Sequence, residues 1–339
     1  MQIPGCAGGV CVLRLSVSDA TKTGPHYRKH PMRILLIGGT RFLGKSAVSD
    51  LASRGHQVVV LNRGNLPEHP NAAATIQCDK QDRKSFAAAL NQQRWDAVID
   101  TILNDADLEF VIEQLAGKVG HFIHTGSIGV YAPAQRVPTR ECDPLAAHDA
   151  VYNFSHKLLQ DQVLMRAHLE RSFPFTSLRM SYIYGPGDVP LDGWGGRCPD
   201  FFTMLSEGQT IPLANDGAVL LHPGHVDDLG RAFGDALQSP NSIGQIYNIG
   251  GPYALMMRDY IRLISEVMGA SAELEFVTPQ TILSRFPQLT NERGLLFACE
   301  HMCCDVSKAE RDLGWRPRIP LKKGIEDTLS WMRQHGHKC

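Results

Sequence analysis

After Met32 the chain alternates short, continuously apolar runs with stretches of helical periodicity. The runs are Ile34-Leu35-Leu36-Ile37, Val58-Val59-Val60-Leu61, Ala97-Val98-Ile99 and His121-Phe122-Ile123-His124, with helical patterns around residues 45–54, 83–92 and 107–115 between them. A strand that is apolar at every position must be covered on both faces. Helices placed between such strands supply the cover and the right-handed crossovers that a parallel sheet requires. The pattern predicts an α/β fold with a doubly wound parallel sheet. A length of 339 residues suits one such domain with a smaller appendage, and past Pro174 the alternation loosens. Phe175 to Leu178 reads as a further strand, and Tyr184 to Gly196 as a loop rich in glycine and proline. The expected organisation is a sheet domain over 32–184 and a smaller C-terminal lobe over most of 185–339, with a segment near 221–250 returning to the sheet domain. Residues 1–31 are interrupted by Pro4, Gly5, Gly8, Gly9, Gly24 and Pro25, and read as a loose arm. Arg14, Lys22, Arg28 and Lys29 outnumber its one acid, Asp19, which leaves an organelle transit peptide and an extended start ahead of Met32 both open.

Composition narrows the partners. With 43% hydrophobic and 20% charged residues the chain can bury a large core. A formal net charge of -1 offers no bulk field for a nucleic acid backbone or an anionic membrane. Nine cysteines, an odd number scattered along a long chain, fit free thiols in a reducing cytosol better than a disulfide framework. No run approaches the roughly 20 apolar residues of a membrane span. The expected setting is cytoplasmic.

Directly after the first apolar run stands Gly38-Gly39-Thr40-Arg41-Phe42-Leu43-Gly44, and a helix opens behind it. A dinucleotide pyrophosphate needs a tight turn free of side-chain bulk, together with the exposed amides and positive dipole end of a helix. Gly38 and Gly44 fit a G-x-x-G-x-x-G spacing whose middle position is Arg41, a side chain able to fork onto phosphate. Strand, glycine turn, helix and second strand together predict a Rossmann-type dinucleotide site using Gly38, Thr40, Arg41, Phe42, Leu43 and Gly44. The second strand ends in Asn62-Arg63, where an NAD-specific site commonly offers a carboxylate to the ribose. Asn62 can still bind the ribose. Arg63 and Arg41 can pair with a 2′-phosphate, so NADP is favoured over NAD. Asp79 stands where it meets the adenine amino group or caps its own turn.

Further blocks follow in order: Ser127-Ile128-Gly129-Val130-Tyr131, Lys157, Ser177-Leu178-Arg179, Tyr184-Gly185-Pro186-Gly187, His225-Val226-Asp227-Asp228 and Leu313-Gly314-Trp315-Arg316-Pro317. With the glycine turn they resemble the extended short-chain dehydrogenase/reductase superfamily, the NAD(P)-dependent epimerase/dehydratases. The glycine turn, Asn62-Arg63-Gly64 and the His225 block are most similar to an atypical branch that includes plastid stem-loop RNA-binding proteins. The resemblance implies catalytic roles for Ser127, Tyr152 and Lys157. Ser127 would hold the substrate oxygen, and Lys157 would bind the nicotinamide ribose and lower the pKa of an acid/base tyrosine. Ser181 would line the cofactor pocket, Tyr182 the substrate pocket, and Trp194 in its glycine-rich loop would offer substrate a stacking face.

The chain departs from this pattern at the tyrosine. Four residues before Lys157 stands Asn153, and Tyr152 is five before it. At about 100° per residue, positions four apart on a helix share a face and positions five apart do not. Three readings stay open: a distorted turn that restores Tyr152, chemistry using Tyr131 or a histidine, or a dinucleotide-binding protein without turnover. Leu221 also stands where nucleotide-sugar members carry an arginine ahead of the histidine. The functional expectation is an epimerase/dehydratase-like oxidoreductase acting on a carbinol or carbonyl carbon of a small molecule, such as a sugar derivative. The alternative is a dinucleotide sensor or RNA-binding protein on the same fold. Homodimerisation through the helices flanking the site is a further implication of the resemblance. Cys299, His301, Cys303 and Cys304 lack the spacing of a zinc site, Asp227-Asp228 reads as a helix start, and Arg311, Arg316, Arg318, Lys322 and Lys323 as a solvated basic face; no metal is expected.

Overall fold

The apolar runs become neighbouring strands of one sheet. The computed structural model describes residues 31–145 and 155–339, so the N-terminal arm, Tyr152 and Asn153 lie outside the described residues. The first half contributes β1 (Arg33–Ile37), α1 (Phe42–Ser53), β2 (Gln57–Asn62), β3 (Ala74–Gln77), α2 (Arg83–Leu90), β4 (Ala97–Asp100), α3 (Asp105–Leu115) and β5 (His121–Ser127). Then come α4 (Ser155–Arg171), β6 (Phe175–Met180), β7 (Tyr182–Tyr184), α5 (Pro199–Ser206), β8 (Ile211–Ala214), β9 (Leu220–Leu221), β10 (Pro223–His225) and α6 (Val226–Gln238). The chain ends with β11 (Gln245–Ile249), β12 (Leu255–Met256), α7 (Met257–Met268), β13 (Leu274–Val277), α8 (Pro279–Arg285), α9 (Glu292–Phe297), α10 (Ser307–Leu313) and α11 (Leu321–Gln334).

The main sheet has seven strands in the order β11-β6-β5-β4-β1-β2-β3, all parallel. From β1 the chain winds outward to β3, then returns past β1 to β4, so the order reverses between β1 and β4. In open parallel sheets the crevice outside the carboxyl ends of the strands at such a reversal is where ligands bind. One core joins Ile34, Leu36, Val58 and Val60 to α1 and α6, and another joins Leu35, Ile37, Val98 and Phe122 to α2, α3 and α4. Burying each such side chain contributes about 1.5–3 kcal/mol.

A separate core around Trp194, Phe201, Tyr260, Leu295 and Ile325 forms the C-terminal lobe. Two segments return from it to the sheet domain. Residues 226–249 supply α6, which packs on α1, and the edge strand β11. The stretch from Ser307 to Trp315, read from sequence as lobe, also packs on the sheet domain. Trp315 is buried in the sheet core with its Nε1 donating to Asp228 O at 2.9 Å. Asp228 Oδ2 accepts the amides of Arg318 and Ile319, and this long-range staple leaves no periodic trace in the sequence.

Candidate functional site

The glycine turn follows β1 and faces the crevice at the reversal. Gly38 and Gly39 have φ of +112° and +84°, backbone that L side chains rarely adopt. A Cβ at Gly38 would lie 2.1 Å from Thr101 Oγ1, and one at Gly44 2.6 Å from Gly39 N. Glycine at both positions therefore lets the β4–α3 connection and the start of α1 close onto the turn. Arg41 is the extended N-cap of α1, its side chain makes no capping bond, and the first turn holds no acid. The opening amides of α1 and its positive dipole end are thus left to an anion. Arg41 is exposed at the rim. At the end of β2, Asn62 Oδ1 accepts Gly64 N at 2.6 Å, and Arg63 is exposed. Asp79 is exposed and accepts Gln81 N at 2.9 Å, the turn-capping arrangement. Thr101 and the half-exposed Ile102 border the turn; sequence reading passed over them because a short β–α connection carries no motif.

Further along the same edge, β5 delivers Ser127 and β6 leads into Ser181. Ser127 Oγ accepts Gly129 N at 3.1 Å, which orients the oxygen and leaves its hydrogen to donate. Lys157, half-buried on α4, donates to Thr125 O at 2.9 Å. Burial depresses its pKa, countered by the carboxylates of Asp100 and Asp161. Ser181 Oγ is buried and lacks a hydrogen-bond partner in the fold, an orphan polar atom of the kind a bound ligand satisfies. The glycine cradle and this orphan hydroxyl fit a dinucleotide stretched across the crevice.

Arg197 links the two lobes at the rim. Its guanidinium lies 5.5 Å from the Phe42 ring centroid and 5.1 Å from that of Tyr182, and donates to Ile183 O at 2.7 Å and to Val189 O. Burial raises the Tyr182 pKa despite Arg197 beside it. Trp194 does not face the crevice. It is 1% exposed, stacked on Phe286 and edge-on to Phe201, with Nε1 donating to Pro212 O at 2.7 Å. The stacking face expected for substrate is spent on the lobe core, because partners distant in sequence turn a glycine-rich loop into a core plug.

Tyr131, an alternative acid in the sequence reading, is locked behind the site. Its hydroxyl donates to Asn248 Oδ1 at 2.9 Å and accepts from Arg179 Nη1 at 2.5 Å. Burial pushes its pKa up to about 12, against the pull of Arg179. Arg179 is itself paired with Asp161 at 2.8 Å, and Asp161 also accepts from Ser177. A Cβ at Gly126 would meet Ser177 Oγ at 2.9 Å and Arg179 Cγ at 3.2 Å, so this glycine makes room for the buried ions.

The remaining motifs are structural. His225 caps α6, its Nδ1 accepting Asp227 N at 3.2 Å, whereas the buried Asp228 accepts from Arg231 on the same helix and from the amides of the Arg318 turn. Cys304 Sγ lies 3.5 Å from His222 Nδ1, and His301 Nδ1 accepts Leu220 N. Arg311, Lys322 and Lys323 pair with Asp312, Glu266 and Asp327. Among the described residues no helix is long and apolar enough to cross a membrane.

Comparison with known proteins agrees with this geometry. The chain is 28% identical over 315 residues to the chloroplast stem-loop binding protein of 41 kDa b of Arabidopsis thaliana, covering 88% of this chain and 78% of that one. It is 23% identical over 361 residues to the dTDP-L-rhamnose 4-epimerase of Burkholderia thailandensis, covering 89% and 95%. Among solved structures, a UDP-glucose-4-epimerase from Stenotrophomonas maltophila with bound NAD superposes with a TM-score of 0.73 at 19% identity, over 90% of this chain and 98% of that one. A dTDP-glucose 4,6-dehydratase from Streptomyces venezuelae with NAD bound gives 0.71 at 23%, over 89% and 97%. These likenesses show a shared Rossmann-type fold. The model of the NAD dependent epimerase/dehydratase family matches residues 34–250, well over half the chain, and the chain belongs to that family.

Proposed function

We infer that this protein binds a nicotinamide dinucleotide along the crevice and uses it to oxidise or reduce a hydroxyl-bearing carbon of a small sugar-derived molecule. The observation that carries the reading is the turn of Gly38, Gly39 and Gly44, whose missing side chains and uncapped helix amides open at the strand-order reversal. The bound dinucleotide supplies the two-electron chemistry. Ser127, accepting Gly129 N, donates to the substrate oxygen and fixes its place. Lys157, with one hydrogen on Thr125 O, keeps two for the ribose and for a neighbouring phenol. Tyr152 is the phenol closest to it in sequence and is assigned the proton at the substrate oxygen. Tyr182 borders the substrate, supported by its place beside Arg197.

Arg63 and Arg41, both exposed at the adenosine end, favour NADP over NAD because each can pair with a 2′-phosphate. Names of relatives such as dTDP-L-rhamnose 4-epimerase support a sugar-nucleotide substrate, while Leu221 in place of an arginine argues for a different anchor on its phosphates. The stem-loop binding relative supports RNA binding as the second reading; the acid partners of Arg311, Lys322 and Lys323 count against it. Leu159 and Leu169 on α4 are 46% and 76% exposed, which supports pairing of two copies through this helix. Titration with NADPH and NADH, followed by nucleotide fluorescence, tests the main reading. Saturable binding is expected, tighter for NADPH, and absence of binding to either at millimolar ligand overturns it.

A further inference from the structure

On the sheet face covered by α3 and α4, the parallel register lines up Val98, Phe122 and Phe175 on one rung and Asp100, His124 and Ser177 on the rung nearer the crevice. An apolar floor thus gives way to a buried polar row beneath the proposed cofactor site. Asp100 and His124 are both fully buried. His124 Nδ1 lies 2.7 Å from Asp100 Oδ2 and its Nε2 3.1 Å from Gln160 Oε1. The far end of Gln160 fixes which way the amide points, since Nε2 donates to Leu103 O at 2.8 Å and a carbonyl can only accept. Asp100 Oδ1 accepts the amides of Ile102 and Leu103. With Asp100 as a carboxylate, both partners of the imidazole are acceptors, an arrangement that calls for a hydrogen on each ring nitrogen. The Asp100–His124 pair therefore holds one proton more than a carboxylate beside a neutral ring, and its net charge is zero.

Around this pair stand Lys157 on Thr125 O and the Arg179–Asp161 ion pair. Farther out, Glu141 and Lys308 border one groove and offset each other. Of the groups just named, Lys157 alone carries a charge that none of the others offsets. With a neutral histidine their balance would be zero. The geometry points to His124 as a positioning residue that cancels the charge of Asp100, so that the site holds a reduced, uncharged nicotinamide in preference to the oxidised, cationic ring. This rests on the dinucleotide reading above. Inside a protein an uncompensated charge acts more strongly than it would in water.

The test uses the full chain. Calorimetric titration with NADP⁺ and NADPH gives the ratio of the two affinities for the wild type, for His124→Gln and for Asp100→Asn/His124→Gln. The wild type is expected to favour NADPH. His124→Gln leaves Asp100 uncompensated, and the ratio is expected to fall by about tenfold, the scale of one nearby buried charge. The double variant removes both members of the pair and is expected to restore the ratio, which a role in packing alone would not do. In the wild type, nitrogen-15 NMR of the His124 ring is expected to show a hydrogen on both nitrogens. A bare ring nitrogen overturns the proposal, as does an unchanged ratio in folded His124→Gln or a double variant that stays at the single variant's ratio. If neither form binds the wild type, the dinucleotide reading falls and the preference with it, while the NMR result still decides the charge of the pair.

Discussion

Gly44 is the residue on which the phosphate cradle depends most directly, because what opposes a side chain there is backbone. A methyl would lie 2.6 Å from Gly39 N and 2.8 Å from Gly39 Cα, and neither atom can move without shifting the turn off β1. Gly44→Ala is expected to cost about 1–3 kcal/mol in urea unfolding and to lose dinucleotide binding; an unchanged midpoint would show that α1 can slide. Tyr131 makes a contrasting case at the same scale. Its hydroxyl serves Arg179 and Asn248, so Tyr131→Phe is expected to destabilise the fold by about 1–3 kcal/mol through the unpaired donor it leaves. With its pKa pushed up to about 12 by burial, its hydroxyl keeps its proton near neutrality, and the pH dependence of cofactor binding is expected not to move. A shifted pH profile in the folded variant would return Tyr131 to the chemistry.

At the scale of elements, the cradle is only as well placed as α1, and α1 is held by α6. Gly230 on α6 makes the closeness visible, since a Cβ there would meet Ser46 Oγ at 2.4 Å and Ala47 N at 3.1 Å. On an isolated helix Gly→Ala gains about 1 kcal/mol. Here Gly230→Ala is expected to lower the unfolding midpoint and weaken dinucleotide binding by tilting the start of α1, and a raised midpoint would refute this account of the packing. The sequence made the half-chain before Pro174 readable because each apolar run, turn and helix there is a local signal, the glycine turn above all. Beyond it the signals fail for a physical reason. Trp315 and Trp194 look alike as isolated aromatics, yet one is buried in the sheet domain and the other in the lobe, by partners distant in sequence. Ser127 and Lys157 were singled out through the blocks that resemble the family. The Asp100–His124–Gln160 row was not, since it exists only once β4, β5 and α4 come together in register.

For the molecule as a whole, the same burial that builds the site sets its response to acid. In Asp100, burial works to raise the pKa, but the hydrogen bond and charge of His124, then Lys157 and the Ile102 amide, outweigh it and hold the carboxyl below the ordinary range. Its stabilising contribution is present at neutral pH and lost as pH falls through that depressed value. His121 acts in the same direction by a different route. Burial lowers its pKa to about 4, and its Nε2 must be the donor to Thr176 Oγ1 at 2.8 Å, because Thr176 spends its own hydrogen on Ser242 O. The folded state thus keeps one ring hydrogen while the unfolded chain, with an ordinary value of 6.5, takes up a second. Between these values the unfolded state binds more protons, so stability rises with pH. Moving from pH 7 to pH 4.5 should cost about 2–3 kcal/mol through His121 alone. Gln at this position can still donate to Thr176 but does not titrate. Urea unfolding of the wild type and His121→Gln at both pH values measures the difference. The variant is expected to be less stable than the wild type at pH 7 and to lose less on acidification. Equal losses in the two proteins would mean that the ring takes up its proton without unfolding, and that the start of β5 opens locally from Thr176 on β6 to admit it.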